Sequence, residues 1–106
     1  MKNEILVIDD NADIRLLICN ILKENGFEVR SATNYDQAVL EIKTKLPDLS
    51  IIDIKLDKSD KDGIDLLKLS KNINKSIPVV MISGHANVQV AVEAIRLGAY
   101  EFLEKP

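Results

Sequence analysis

The sequence predicts a single α/β domain built on a doubly wound, parallel five-stranded sheet. Three observations predict it. Strand-like and helix-like segments alternate along all 106 residues. The strand-like runs are short and almost continuously apolar, as in LSII at 49–52 and PVVMI at 78–82, which suits strands covered on both faces. Two of those runs end in acid, EILVIDD and DLSIID, which puts carboxylates at strand C-terminal tips.

The elements follow in order. Residues 4–8 read as the first strand. From Asp13 to Asn25, the apolar positions Ile14, Leu17, Ile18, Ile21 and Leu22 follow helical spacing. Asn11 or Asp13 can cap that helix, and Gly26 suits its C-terminal turn. Cys19 falls off the stripe and is expected to be a partly exposed thiol without a role. Phe27 to Ser31 reads as the second strand. Asn34 can cap a helix through Lys45, with Ala38, Ile42, Leu46 and more weakly Leu40 as its stripe, and Pro47 stops it. Leu49 to Ile52 is the third strand. A polar loop, KLDKSDKDG, leads to a helix over about Ile64 to Asn72. Pro78 to Ile82 is the fourth strand, Ala86 to Leu97 a fourth helix closed by Gly98, and Tyr100 to Leu103 a short fifth strand. This βαβαβαβαβ order implies right-handed crossovers. The sequence stops at Pro106, directly after the fifth strand, so one covering helix is expected to be missing.

Composition is that of an ordinary globular domain. A net charge of −3 gives no reason to expect direct nucleic-acid binding. No apolar stretch is long enough for a membrane span, and MKNEILVIDD reads as a strand rather than a signal peptide. One cysteine cannot form an internal disulfide, which fits a reducing cytoplasm.

The chemistry concentrates in three acids. If the first and third strands are parallel neighbours, Asp9, Asp10 and Asp53 crowd into one crevice at the ligand-binding edge of the sheet. Like charges that close repel unless a proton or cation intervenes, and hard oxygen ligands at an open site favour Mg2+. Lys105, after the fifth strand, can add positive charge to the same edge. Acids, a metal and a lysine suggest phosphate chemistry.

These landmarks, with Ser83-Gly84 after the fourth strand and Lys105-Pro106 after the fifth, resemble the receiver domains of bacterial two-component response regulators. The resemblance covers essentially the whole chain, as a receiver over 1–106 that is short at its C-terminus and without output domains. The stretch ISGHANVQVAVEAIRLGAYEFLEKP is similar to the nitrogen-regulation branch, the NtrC/NtrX-like proteins. The resemblance implies a flavodoxin-like strand order of 2-1-3-4-5. It implies that Asp53 accepts a phosphoryl group from a histidine kinase. It also implies that Asp9, Asp10, Asp53 and the Lys55 backbone carbonyl hold Mg2+. Ser83 and Lys105 would meet the phosphate, Phe102 would be the switch aromatic, and the Lys-Pro bond would be cis. Phe102 lacks a hydroxyl, so any outward state has no polar anchor.

The loop after Asp53 departs from the family pattern. Leu56-Asp57 replaces Met-Pro, and Gly63 falls about two residues later than common. A calcium loop in DKSDKDG fails, because Lys58 and Leu69 stand where Asp and Glu are needed. His85 has no partner for a metal or catalytic role and occupies a variable position that, in the family, tunes phosphate lifetime. In the fourth helix, Val88, Ala91, Val92 and Ile95 are expected to cover the sheet. Ala86, Val90, Ala94 and Leu97 then form an outward patch, read as a partner or homodimer surface with the fifth strand.

The leading expectation is a phosphorylation switch that controls transcription through an output domain elsewhere. The alternative is a Mg2+-dependent small-molecule phosphohydrolase with an aspartyl nucleophile, although such enzymes place Asp-x-Asp after the first strand. A nucleotide-binding module fits poorly, since DDNADI has no glycine and is acidic where phosphate would sit.

Overall fold

The computed structural model describes residues 3–56, 62–84 and 88–105. Nine elements alternate: β1 (Glu4–Ile8), α1 (Ala12–Glu24), β2 (Glu28–Ala32), α2 (Tyr35–Thr44), β3 (Leu49–Asp53), α3 (Gly63–Ile73), β4 (Val79–Ser83), α4 (Val88–Arg96) and β5 (Glu101–Glu104). The strands form one parallel sheet in the order β2-β1-β3-β4-β5. That is the flavodoxin-like order, with four helices.

Local chemistry sets the boundaries. Asn11 and Asn34 cap α1 and α2, their side chains accepting from the amides of Ile14 and Gln37. Asp62 and Asp65 form a reciprocal capping box at the start of α3. Gly26 and Gly98 take left-handed φ values of 90° and 107° where the chain leaves α1 and α4. The fourth strand starts at Val79 because Pro78 has no N–H, and the Pro78 carbonyl still accepts from Ser50.

Two cores lie on opposite faces of the sheet. The larger joins Leu6, Ile8, Ile52, Val79 and Met81 to α2, α3 and α4. The smaller joins Ile5, Val7 and Cys19, with Ile18, Leu22 and Ile51 packed around them. On that second face, no helix among the described residues covers β4 and β5, and Leu103 is 50% exposed.

Three packing expectations need correction. Cys19 is buried against β1, while Leu17 and Ile21 are largely exposed. The apolar arc of α1 is wider than the strip of sheet beneath it, and the small thiol takes the central position. Burial raises the Cys19 thiol pKa despite Lys23 and Arg15 nearby. Leu40 on α2 and Leu46 beyond its end are exposed, and Ala38 and Ile42 carry the contact of the helix.

The faces of α4 are the reverse of the expectation. Ala94 is 0% exposed, and Val90 and Leu97 pack against the larger core. Val88, at 81% exposure, with Val92 and Ile95 faces outward. With two apolar stripes, periodicity cannot choose between them. The stripe carrying the small Ala94 lets the helix approach the sheet closely, so the bulkier stripe is left outside. Ala86 lies outside the described residues. No described helix is long and apolar enough to cross a membrane.

Candidate functional site

Strand register brings the acids together. Ile8 pairs with Ile52, so Asp9 and Asp53 leave adjacent parallel strands side by side. One ligand oxygen from each of Asp9, Asp10 and Asp53 can be chosen so that all lie within 4.8 Å of one another. Asp9 is fully buried, Asp53 nearly so, and Asp10 half-buried.

Lys105 lies between two of these carboxylates. Its Nζ is 2.9 Å from Asp9 Oδ2 and donates to Asp53 Oδ2 at 3.1 Å. Its backbone N–H donates to the Ser83 carbonyl at 2.7 Å, which ties the end of β5 to that of β4. Ser83 is buried at the tip of β4, one residue past Ile82, the register partner of Asp53. The other oxygens meet backbone amides: Asp9 Oδ1 accepts from Asn11 at 2.9 Å, and Asp53 Oδ1 accepts a longer contact from Lys55 at 3.4 Å.

Burial is the main cause that raises the Asp53 carboxyl from 3.8 to about 6. The Lys105 hydrogen bond opposes that shift, and the neighbouring Asp9 charge adds to it. For Lys105, burial alone would lower the ammonium pKa. The hydrogen bonds and charges of Asp9 and Asp53 outweigh burial and hold it raised.

The donor set fits a divalent cation. Three carboxylates converge, Lys105 lies between two of them, and all donors are hard oxygens.

The structure therefore gathers Asp9, Asp10, Asp53 and Lys105, with Ser83 on the next strand tip. Lys55 contributes its amide, and its side chain is exposed. Phe102 is not at the acids; it packs inward against the larger core from β5. Val90, Ala94 and Leu97 belong to the sheet-facing side of α4. His85 and the Lys105-Pro106 bond lie outside the described residues. Two contributors escaped sequence reasoning. Arg15 donates to the Asp9 carbonyl at 2.7 Å, although its position reads as an ordinary charged helix residue. Gly63 packs its backbone on that of Asp53, which only a three-dimensional contact reveals.

Residues 5–106 match the response regulator receiver domain. The chain belongs to that family. It is 45% identical over 106 residues to the nitrogen assimilation regulatory protein NtrX of Azorhizobium caulinodans, covering all of this chain and 23% of that protein. The crystal structure of the receiver domain of NtrX from Brucella abortus superposes with a TM-score of 0.91 at 49% identity, over 96% of this chain and 85% of that one. A response regulator from Burkholderia pseudomallei, solved with a phosphorylated aspartic acid, a calcium ion and citrate, gives a TM-score of 0.91 at 27% identity. It covers 99% of this chain and 61% of that one. The receiver is thus a regulatory module of two-component signalling, NtrX-like, rather than a classical enzyme. Receiver domains generally bind Mg2+ at an acidic pocket, and this receiver has such a pocket.

Proposed function

We propose that Asp53 is the phosphoacceptor of this receiver and takes its phosphoryl group from a phosphohistidine on a cytoplasmic sensor kinase. The observation that carries the reading is a buried Asp53 carboxylate held by Lys105 beside Asp9 and Asp10. The aspartyl phosphate in the Burkholderia pseudomallei relative supports it.

Asp9, Asp10, Asp53 and the Lys55 carbonyl would hold Mg2+, which supplies neutralising charge to the phosphoryl oxygens. An Asp53 oxygen forms the bond to phosphorus while the P–N bond to the donor imidazole breaks, and its electron pair returns to nitrogen. Hydrolysis by water later restores the carboxylate and releases inorganic phosphate. Lys105, freed from Asp53 Oδ2, meets a phosphoryl oxygen as a point charge. The Ser83 hydroxyl turns to the same group, and Phe102 repacks with it.

Modification shifts an existing equilibrium between two states and changes what the surface binds. The partner surface, including any homodimer contact, is the outward face of α4: Val88, Val92 and Ile95, beside the edge strand β5. An output domain then carries the signal to transcription. The receiver match leaves the phosphohydrolase reading without support.

Intact-mass measurement after acetyl phosphate and Mg2+ tests the reading. Wild-type protein gains one phosphoryl adduct and Asp53→Asn gains none; an adduct that survives Asp53→Asn overturns it. Sedimentation of the same samples tests the surface, where Val92→Asp should abolish phosphorylation-dependent association without blocking the adduct.

A further inference from the structure

We propose that Gly63 is a positioning residue, whose missing side chain sets the main-chain placement of Asp53. The inference rests on Asp53 being the phosphoacceptor. Glycine is not required at 63 for its torsion, since the positive φ values among the described glycines belong to Gly26 and Gly98. What it supplies is room. A Cβ at 63 would lie 2.0 Å from the Asp53 carbonyl oxygen, 2.8 Å from its carbon and 3.0 Å from Ile54 Cα. All three are backbone atoms, so no side chain can swing aside.

Ile54, the residue after Asp53, is held from two sides. Ile54 N–H donates to the Ile82 carbonyl at 2.9 Å, which fixes it to β4. The Ile54 carbonyl accepts from Gly63 N–H at 2.7 Å, which fixes it to the start of α3. That helix start is itself locked by the Asp62–Asp65 capping box. Ordinary contact distances require the gap to open by more than about 1 Å before a methyl group fits. Either α3 retreats and breaks the Gly63–Ile54 hydrogen bond, or Asp53 moves relative to Asp9, Asp10 and Lys105. Sequence spacing shows Gly63 displaced along the chain; contact shows that its place against Asp53 is what the site needs.

The test compares Gly63→Ala with Gly98→Ala, whose strained φ lowers stability away from the acids. Mg2+ affinity is read by calorimetry and adduct formation by mass under conditions where circular dichroism shows both variants folded. Gly63→Ala should bind Mg2+ on the order of tenfold more weakly and form the adduct on the order of 10²-fold more slowly, whereas Gly98→Ala stays near wild type. Equal Mg2+ affinity and adduct rate in the two variants overturn the proposal. Should Gly63→Ala not fold, wild-type protein decides: hydrogen exchange of the Gly63 amide must change when Mg2+ binds, and an unchanged rate overturns it. Absence of any adduct on wild type would sink the phosphoacceptor reading instead, and the Mg2+ measurements would still decide Gly63.

Discussion

The sheet carries a charge cluster at each edge, and the two are built to opposite rules. At the N-terminal edge, Arg30 on β2 pairs with Glu4 at 3.1 Å and with Glu41 at 2.9 Å, and also donates to the Glu41 and Lys45 carbonyls at the end of α2. Lys45 adds a second cation 3.9 Å from Glu4. Here the two cations Arg30 and Lys45 meet the carboxylates of Glu4 and Glu41 within the protein. At the C-terminal edge, among the described residues, three carboxylates converge and Lys105 lies between two of them. The balanced cluster staples α2 to the sheet. The unbalanced one brings a surplus of described carboxylates to where hard-oxygen donors converge, and so keeps a place for a cation.

Removing Lys105 from the unbalanced edge should have the largest effect. Lys105→Met leaves buried Asp9 and Asp53 without their counter-charge, and truncating one partner of a buried pair costs about 3 kcal/mol. Urea denaturation of the Mg2+-free protein near neutral pH should show that loss, and Mg2+ should restore much of it. Equal midpoints for wild type and variant without Mg2+ would mean the surplus is not felt.

The balanced edge should respond differently. Arg30→Ala removes the ion pairs to Glu4 and Glu41 and two helix-end hydrogen bonds, and should cost about 2 kcal/mol. That loss should be the same with and without Mg2+. A Mg2+-dependent loss would show that the two edges communicate through the sheet.

The unbalanced edge was the more legible in the sequence. Its acids end apolar runs, so once the first and third strands pair, Asp9 and Asp53 meet in one crevice. Strand and helix number were legible because short apolar runs alternate with helical stripes, whereas strand order came only from the resemblance to receiver domains. The Arg30 staple was not, because it joins a strand residue to a helix end 11 and 15 residues away, and nothing periodic marks that pairing. The outward face of α4 was misread because both of its stripes are apolar, and the choice depends on which lets the helix approach the sheet. Gly63 escaped because its role is an absent side chain against a distant backbone.

The last effect is the one most specific to the unbalanced edge. Folding raises the Asp53 pKa from 3.8 to about 6, so between those values the folded protein holds a proton that the unfolded chain has released. The corresponding stability is fully present below 3.8 and is lost as pH rises through about 6. Lys105 does not confuse that window, because its raised pKa affects stability only in strongly alkaline solution. Asp53→Asn has no such proton. Without Mg2+, the variant should gain on wild type as pH rises from 3.8 to about 6, and the gap should then level off. Mg2+ needs the carboxylate, so it should stabilise wild type increasingly through the same window and Asp53→Asn much less. Denaturation midpoints across the window, with and without Mg2+, check both. A difference between the two proteins that stays flat with pH would show that burial and Asp9 do not strain the Asp53 carboxylate, and that its negative charge is already answered within the protein.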